Sequence, residues 1–213
     1  MYNSLLIEPR KQNNKILYPV MEHFYSIQGE GFHSGVPAYF IRIAGCDIGC
    51  SWCDVKESWE STDDQYVEIS ELIETISKTK AKNIIITGGE PAMYNLEPLT
   101  SGLKKAGYII HIETSGAYEL SGSFDWICVS PKKFMSPLLN SLSKADELKV
   151  IVVNNNDLKW GSELAGNVSK KCKLFFQPEW ERSSKTQSAI VDFIKNNPKW
   201  NLSLQIHKYL NIQ

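Results

Sequence analysis

The sequence predicts an α/β fold built on a mostly parallel sheet, left open as a partial barrel of about six βα units. Three observations predict it. Short β-branched apolar runs alternate with helical patterns along the chain, the order that a parallel sheet with crossover helices requires. Polar or glycine-rich punctuation closes the runs, as "TGGEP", "ETSG", "SPK", "QPEW" and "QIHK". At 213 residues the chain is short of a closed eight-fold barrel of about 250 residues and fits one domain spanning 1–213.

Taken in order, "AYFIRIAG" (38–45) reads as a strand that delivers a cysteine-rich loop. "EISELIETISKTK" (68–80) places Ile69, Leu72, Ile73 and Ile76 on one helical face. "NIIITGGEP" (83–91) is a strand ending in a glycine pair, and "LEPLTSGLKKAG" (96–107) a helix stopped by Gly107. "YIIHIETSG", "DWICVSPK", "ELKVIVV" and "KLFFQPEW" are further strands. The polar "SSKTQS" (183–188) reads as a loop, and "SAIVDFIKNN" (188–197) as a helix ending before Pro198. "WNLSLQIHKYL" is a last strand candidate. In parallel α/β folds, ligands bind where the loops at the C-terminal strand edge converge. The punctuation therefore predicts one cleft.

Composition narrows the classes. Apolar residues make up 42% and charged residues 22%, with a net charge of −1, so nothing draws the chain broadly to nucleic acid or an anionic membrane. The opening "MYNSLLIEPRKQNNK" holds no apolar stretch of signal-peptide length, and no run of about 18 apolar residues occurs. A cytoplasmic protein is expected. Five cysteines, odd in number and clustered, suit metal or redox chemistry better than a disulfide framework. Cys128 and Cys172 lie in or beside apolar runs and read as buried, inert thiols.

The other three stand in "GCDIGCSWCD", as Cys46, Cys50 and Cys53 with C-x3-C-x2-C spacing and no fourth cysteine nearby. Three thiolates on one loop can hold three corners of a four-iron cubane, leaving one iron open. Zinc completed by a distant ligand is the alternative, but no second Cys pair exists, and His23, His33, His111 and His207 lack zinc-finger spacing.

This triplet resembles the signature of the radical S-adenosylmethionine (SAM) superfamily. The resemblance implies a 4Fe-4S cluster whose open iron is chelated by SAM, and cleavage of SAM to a 5′-deoxyadenosyl radical. "GGEP" (88–91) resembles the superfamily's motif for the SAM amino group, bringing Gly88, Gly89 and Glu90 into the site. The flanks narrow the family further. "YSIQGEGFHSGVPAYFIRIAGC" (25–46), "ETSG" (113–116), "SPK" (130–132), "ELKVIV" (147–152), "FQPEW" and "SLQIHKYL" together resemble the 7-carboxy-7-deazaguanine synthases from about residue 21 onward. That family's reaction converts 6-carboxy-5,6,7,8-tetrahydropterin to 7-carboxy-7-deazaguanine with loss of ammonia, in queuosine and 7-deazapurine biosynthesis, and regenerates SAM.

On this resemblance, Ile27, Gln28, Gly29 and Glu30 meet the pterin edge. Arg42 meets its carboxylate, as a guanidinium on a buried strand would. Thr114, His207 and the terminal carboxylate of Gln213 approach the substrate. Trp52, Asp54, Gly116, Ser130, Lys132 and Gln177 join the glycine pair and Glu90 around SAM. The implied partners are a small-molecule pterin, an electron donor such as a flavodoxin or ferredoxin, and a second copy in a homodimer, with no nucleic acid and no membrane. Two departures stand out. Ile206 replaces a threonine common before His-Lys. Val55 replaces the hydroxyl residue that follows Cys-Asp and helps hold Mg2+ near the substrate. Valine offers a hard cation no oxygen, so a magnesium site, if any, lies near Asp54, and weakened magnesium dependence is expected. Two other functions stay open at this point: a radical SAM activase acting on a partner protein, and a non-catalytic zinc or iron–sulfur binding module.

Overall fold

A computed structural model describes residues 6–213; the first five residues of the opening segment lie outside it. The strands are β1 (Arg10–Gln12), β2 (Lys15–Ile27), β3 (Pro37–Ile43), β4 (Tyr66–Glu68), β5 (Asn83–Gly88), β6 (Ile109–Thr114), β7 (Trp126–Val129), β8 (Glu147–Val152), β9 (Lys173–Pro178) and β10 (Trp200–Leu202). The helices are α1 (Ile69–Ser77), α2 (Glu97–Lys105), α3 (Leu139–Lys144), α4 (Asn156–Leu164), α5 (Ser183–Asn196) and α6 (Ile206–Leu210). One sheet runs β1-β2-β3-β5-β6-β7-β8-β9-β10, with β4 paired to β2. From β3 to β10 every pairing in that path is parallel, whereas β2 joins β3 antiparallel. The barrel does not close.

The two faces of the sheet differ, because side chains alternate along a strand. Ile41, Ile43, Ile84, Ile86, Ile110 and Ile112 point outward into a core with Leu72 and Ile76 of α1 and Leu99 and Leu103 of α2. Leu148, Val150, Val152, Leu174 and Phe176 do the same on the other half, against Leu158 of α4 and Ile190 of α5. Each such buried aliphatic side chain contributes roughly 1.5–3 kcal/mol. The alternate positions, among them Arg42, Glu113, Glu147, Lys149 and Gln177, face the concave side. That face holds the polar chemistry.

Several readings from the sequence are corrected. Residues 183–188 are the first turns of α5 rather than a loop: Thr186 is buried and donates its hydroxyl to the Arg182 carbonyl at 3.1 Å. The polar residues around it face solvent, and that is why the segment looked like a linker. "WNLSLQIHKYL" is a strand for only three residues, then turns into α6. The long β2, whose pattern is broken by Pro19 and a register shift between Val20 and Glu22, was not predicted. Neither were α3 and α4.

Candidate active site

The cysteine loop begins where β3 ends. Gly45 and Gly49 adopt φ values of +105° and +71°, which an L side chain rarely accepts. The loop's base is tied by main-chain hydrogen bonds: Gly45 N to Ser58 O at 2.7 Å, Cys46 N to Trp59 O at 3.0 Å and Glu90 N to Gly45 O at 2.9 Å. A β-carbon at Gly88 would lie 2.2 Å from the Ile43 carbonyl oxygen, and one at Gly89 2.3 Å from that of Gly45. The glycine pair is therefore required first by the cysteine loop, which it supports backbone to backbone. Cys46, Cys50 and Cys53 are free thiols on one wall of a cavity of about 550 Å³. Burial pushes the Cys46 thiol up to about 11 and raises Cys50 as well. Neutral alone, such thiols ionise on a cationic iron centre. Three of them on one cradled loop fit a cubane cluster with one open corner.

Glu90 is almost fully buried, and its carboxylate ties two strand ends together. One oxygen accepts from Ala92 N at 3.0 Å and from the Thr114 hydroxyl at 2.5 Å; the other accepts from Ser115 N at 2.7 Å. A carboxylate offers about four acceptor positions, so roughly one remains for a ligand. Thr114 also accepts from Gly116 N at 3.1 Å. Gly116, read above as facing SAM, is packed elsewhere: its φ is +76°, and a β-carbon there would meet Val129, Pro137 and Ser141. It is the one predicted site residue that does not line the cavity. Lys132 donates to the Ser130 carbonyl at 2.5 Å and hydroxyl at 2.8 Å, and its ammonium stands 5.5 Å from the Trp52 ring centroid. The Gln177 carbonyl accepts from Ser203 at 2.6 Å, leaving its amide nitrogen for a ligand.

Opposite the cysteines, the turn after β2 carries Gln28 and Glu30. Gln28 donates to Glu113 at 2.6 Å, while its carbonyl accepts from Glu30 N at 3.1 Å, which fixes the amide's orientation. Glu30 accepts from Lys149 at 2.5 Å and Gln205 at 2.8 Å. Burial would raise the Glu30 carboxyl, but the adjoining Lys149 ammonium outweighs it and holds the group down at about 2. Gly29 lacks a side chain because His207 occupies the space: a β-carbon would come within 2.1 Å of its Nδ1. Burial lowers the His207 imidazole from its ordinary value, which favours the neutral ring.

Arg42 and Glu22 are cross-strand partners on β3 and β2, and Arg42 Nε donates to Glu22 at 2.6 Å. Nη1 lies 3.5 Å from the Gly88 carbonyl oxygen, and the residue lines the cavity with a guanidinium, the group whose planar fork suits a carboxylate. The C-terminal segment closes the mouth. Ser26 donates to the Gln213 main-chain oxygen at 2.6 Å, and Lys208 reaches Asp54 at 2.8 Å. A magnesium site does not fit here. Val55 has no side-chain oxygen, and Oδ2 of Asp54 is already engaged by Lys208 at 2.8 Å and by Gln205 at 3.4 Å.

Every other predicted site residue, from Ile27 to Gln213, lines the same cavity. Sequence reasoning missed Glu22, Glu113, Lys149, Gln205 and Lys208. The signal was present for two of them: a lysine and a glutamate at alternate positions of otherwise apolar strands, "ELKVIV" and "IIHIET", mark a polar inner face.

Residues 40–120 match the family model described as the Radical SAM superfamily. A 7-carboxy-7-deazaguanine synthase of Flavobacterium psychrophilum is 49% identical over 196 residues, covering 92% of this chain and 93% of that protein. The enzyme of the same name from Escherichia coli K12 is 37% identical over 225 residues, covering 92% and 99%. The crystal structure of QueE from Escherichia coli superposes with a TM-score of 0.80 at 34% identity, covering 89% of this chain and 94% of that one. An open parallel sheet, a three-thiol loop cradled by a glycine pair and near-complete coverage by these relatives agree: this chain belongs to the 7-carboxy-7-deazaguanine synthase family of the radical SAM superfamily.

Proposed function

We propose that this chain converts 6-carboxy-5,6,7,8-tetrahydropterin to 7-carboxy-7-deazaguanine and ammonia. One observation carries the reading. A single cavity sets three thiols and the glycine-supported Glu90 against an arginine fork and a wall of acceptors, the complement of an acidic heterocycle with N–H groups. When bound, the cluster and SAM supply one-electron, hydrogen-abstracting chemistry. The chain's own residues bind and orient. Arg42, steadied by Glu22, takes the pterin carboxylate. Glu30, with Gln28 and the main chain of Ile27 and Gly29, accepts from the pyrimidine edge; His207 and Gln213 close over it. Thr114 holds Glu90 in place beside SAM. Trp52, Asp54, Ser130, Lys132 and Gln177 border the SAM side.

The competing readings, an activase acting on a partner protein and a non-catalytic zinc or iron–sulfur binding module, do not account for an arginine and a wall of acceptors lining the same cavity as the three thiols. Electron supply by a flavodoxin or ferredoxin, a homodimeric state and a cytoplasmic location belong to this reading as expectations. No helix of the described residues is long and apolar enough to cross a membrane. Because the residues around Asp54 and Val55 do not assemble a magnesium site, the reaction is read as only weakly dependent on that ion. Anaerobic incubation of the reconstituted protein with carboxytetrahydropterin, SAM and a reductant tests the proposal. Deazapurine and ammonia in equal amounts, with SAM recovered, are expected. Consumption of SAM with no deazapurine would refute the substrate assignment.

A further inference from the structure

Among the described residues, Lys149 is the one lysine whose ammonium is buried between two carboxylates. Its side chain is 2% exposed, and it donates to Glu30 at 2.5 Å and to Glu113 at 3.0 Å. The three residues come from separate elements: Lys149 from the middle of β8, Glu113 from near the end of β6, and Glu30 from the turn after β2. Both carboxylates line the cavity, whereas Lys149 stands behind them. Glu113 in turn receives the Gln28 amide at 2.6 Å. Two carboxylates brought this close without a cation would share a proton, because like charges in a low dielectric cannot both persist. A protonated carboxyl donates one of its positions and accepts less well.

From this geometry, and resting on the pterin reading above, we propose that Lys149 is a positioning residue. It is the shared counter-ion that allows Glu30 and Glu113 to face the cavity together as carboxylates. Glu30 then accepts from the N–H edge of the substrate, and Glu113 holds Gln28 in the orientation that continues the acceptor wall. Lys149 itself touches no substrate. The site's preference for a heterocycle presenting N–H donors, over an isostere lacking them, follows from this buried cation.

Other charged and titratable groups face the triad. Glu147 on β8 and the Cys128 thiol on β7 act on Lys149, His207 and Asp54 interact with Glu30, and Lys132 feels the Lys149 charge. Glu147 is engaged elsewhere, accepting from Phe32 N at 3.2 Å and from the Trp126 indole at 3.1 Å. It does not substitute for either partner of Lys149.

The test uses the cluster-loaded protein with SAM, and the fluorescence of 6-carboxypterin, an oxidised form of the substrate, as the binding probe from pH 5.5 to 7.5. Affinities are read as the ratio of variant to wild type, so that the probe's own ionisation cancels. In Lys149→Met the ratio is expected to fall about tenfold or more near pH 6, the scale of a lost charge-assisted contact, and to recover as pH rises and the shared proton leaves. Lys149→Met/Glu113→Gln, which removes one carboxylate with the cation, should regain most of the affinity and a flat profile. Lys149→Arg should also stay flat. These two variants decide the matter if Lys149→Met does not fold. A loss that is equal at every pH and not relieved by Glu113→Gln overturns the proposal, as does a sloping profile in the double variant or unchanged binding in Lys149→Met. Failure of the wild type to bind 6-carboxypterin is a different result: it overturns the pterin reading itself.

Discussion

Gly89 stands so close to Gly45 that a β-carbon on it would lie 2.3 Å from the Gly45 carbonyl oxygen and 2.8 Å from that of Ser58. Both neighbours are main chain, and both belong to the frame of the cysteine loop. Neither can rotate aside as a flexible side chain would. The glycine pair is thus a joint between two loops.

Gly89→Ala is therefore expected to displace the loop and to lower cluster occupancy. Iron per chain and visible absorbance after anaerobic reconstitution measure this; a drop to less than half of wild type is expected. Gly166→Ala serves as the control, since nothing lies within 4 Å of a β-carbon there. It should load iron normally and be neutral or more stable by about 0.4–1 kcal/mol, the usual gain from a compatible Gly→Ala change. Normal iron content in Gly89→Ala would contradict the joint.

Arg42 offers a second test. Its Nε is held by Glu22 at 2.6 Å, so Glu22→Gln keeps the size of the partner but weakens the contact from charge-assisted to neutral. The guanidinium is then held less firmly where it lines the cavity. KM for the pterin should rise about three- to tenfold with kcat little changed, since charged hydrogen bonds are worth roughly twice neutral ones. Arg42→Lys should raise KM further, because an ammonium lacks the planar fork. Steady-state kinetics against substrate concentration separate the two parameters; a fall in kcat with unchanged KM would rule out a binding role.

Much of this was legible in the sequence because its signals are local. The cysteine spacing, the glycine pair after an apolar strand and the polar punctuation at strand ends depend on residues close in the chain. The strands β3, β5, β6, β8 and β9 announce themselves as apolar runs. What escaped depends on partners far apart in sequence. Lys149 reads as an ordinary strand interruption until β6 and the turn after β2 bring Glu113 and Glu30 to it, 36 and 119 positions away. Gly116 is placed at SAM by family resemblance alone; it does not line the cavity, and a β-carbon there would meet Val129, Pro137 and Ser141. The first turns of α5 were hidden by the polarity that belongs to a helix's outer face.

The inner face also carries a pH-sensitive element away from the cluster. His111 on β6 is buried, with its ring 4.6 Å from that of His33, and His33 packs edge-on against Trp126. Burial, aided by the neighbouring imidazole, lowers His111 to about 4. The unfolded chain takes up its proton near pH 6.5, so between pH 6.5 and 4 unfolding is favoured by proton uptake. Stability is expected to fall as pH drops through that window, by up to about 3 kcal/mol if the full shift of His111 is expressed. Urea midpoints measured at pH 7 and pH 5 report it. His111→Phe should flatten the dependence, and an unchanged slope in that variant would locate the effect elsewhere.

Asp54 and Val55 decide the last prediction, on magnesium. The family's hydroxyl is absent at Val55, and Lys208 on α6 holds the Asp54 carboxylate at 2.8 Å, filling with an ammonium the charge that a hard cation would bring. Turnover in a chelator such as EDTA should therefore stay within about threefold of turnover at millimolar Mg2+, since no carboxylate–hydroxyl pair is open to an oxygen-seeking ion. Val55→Thr adds one oxygen but leaves Asp54 engaged, so it alone should gain little. Combined with Lys208→Met it frees the carboxylate, and 6-carboxypterin affinity in that double variant should rise with added Mg2+ where the wild type's does not. Wild-type activity that vanishes in EDTA and returns at micromolar Mg2+ would show instead that the ion is held by substrate and water, with the Lys208–Asp54 pair yielding to it.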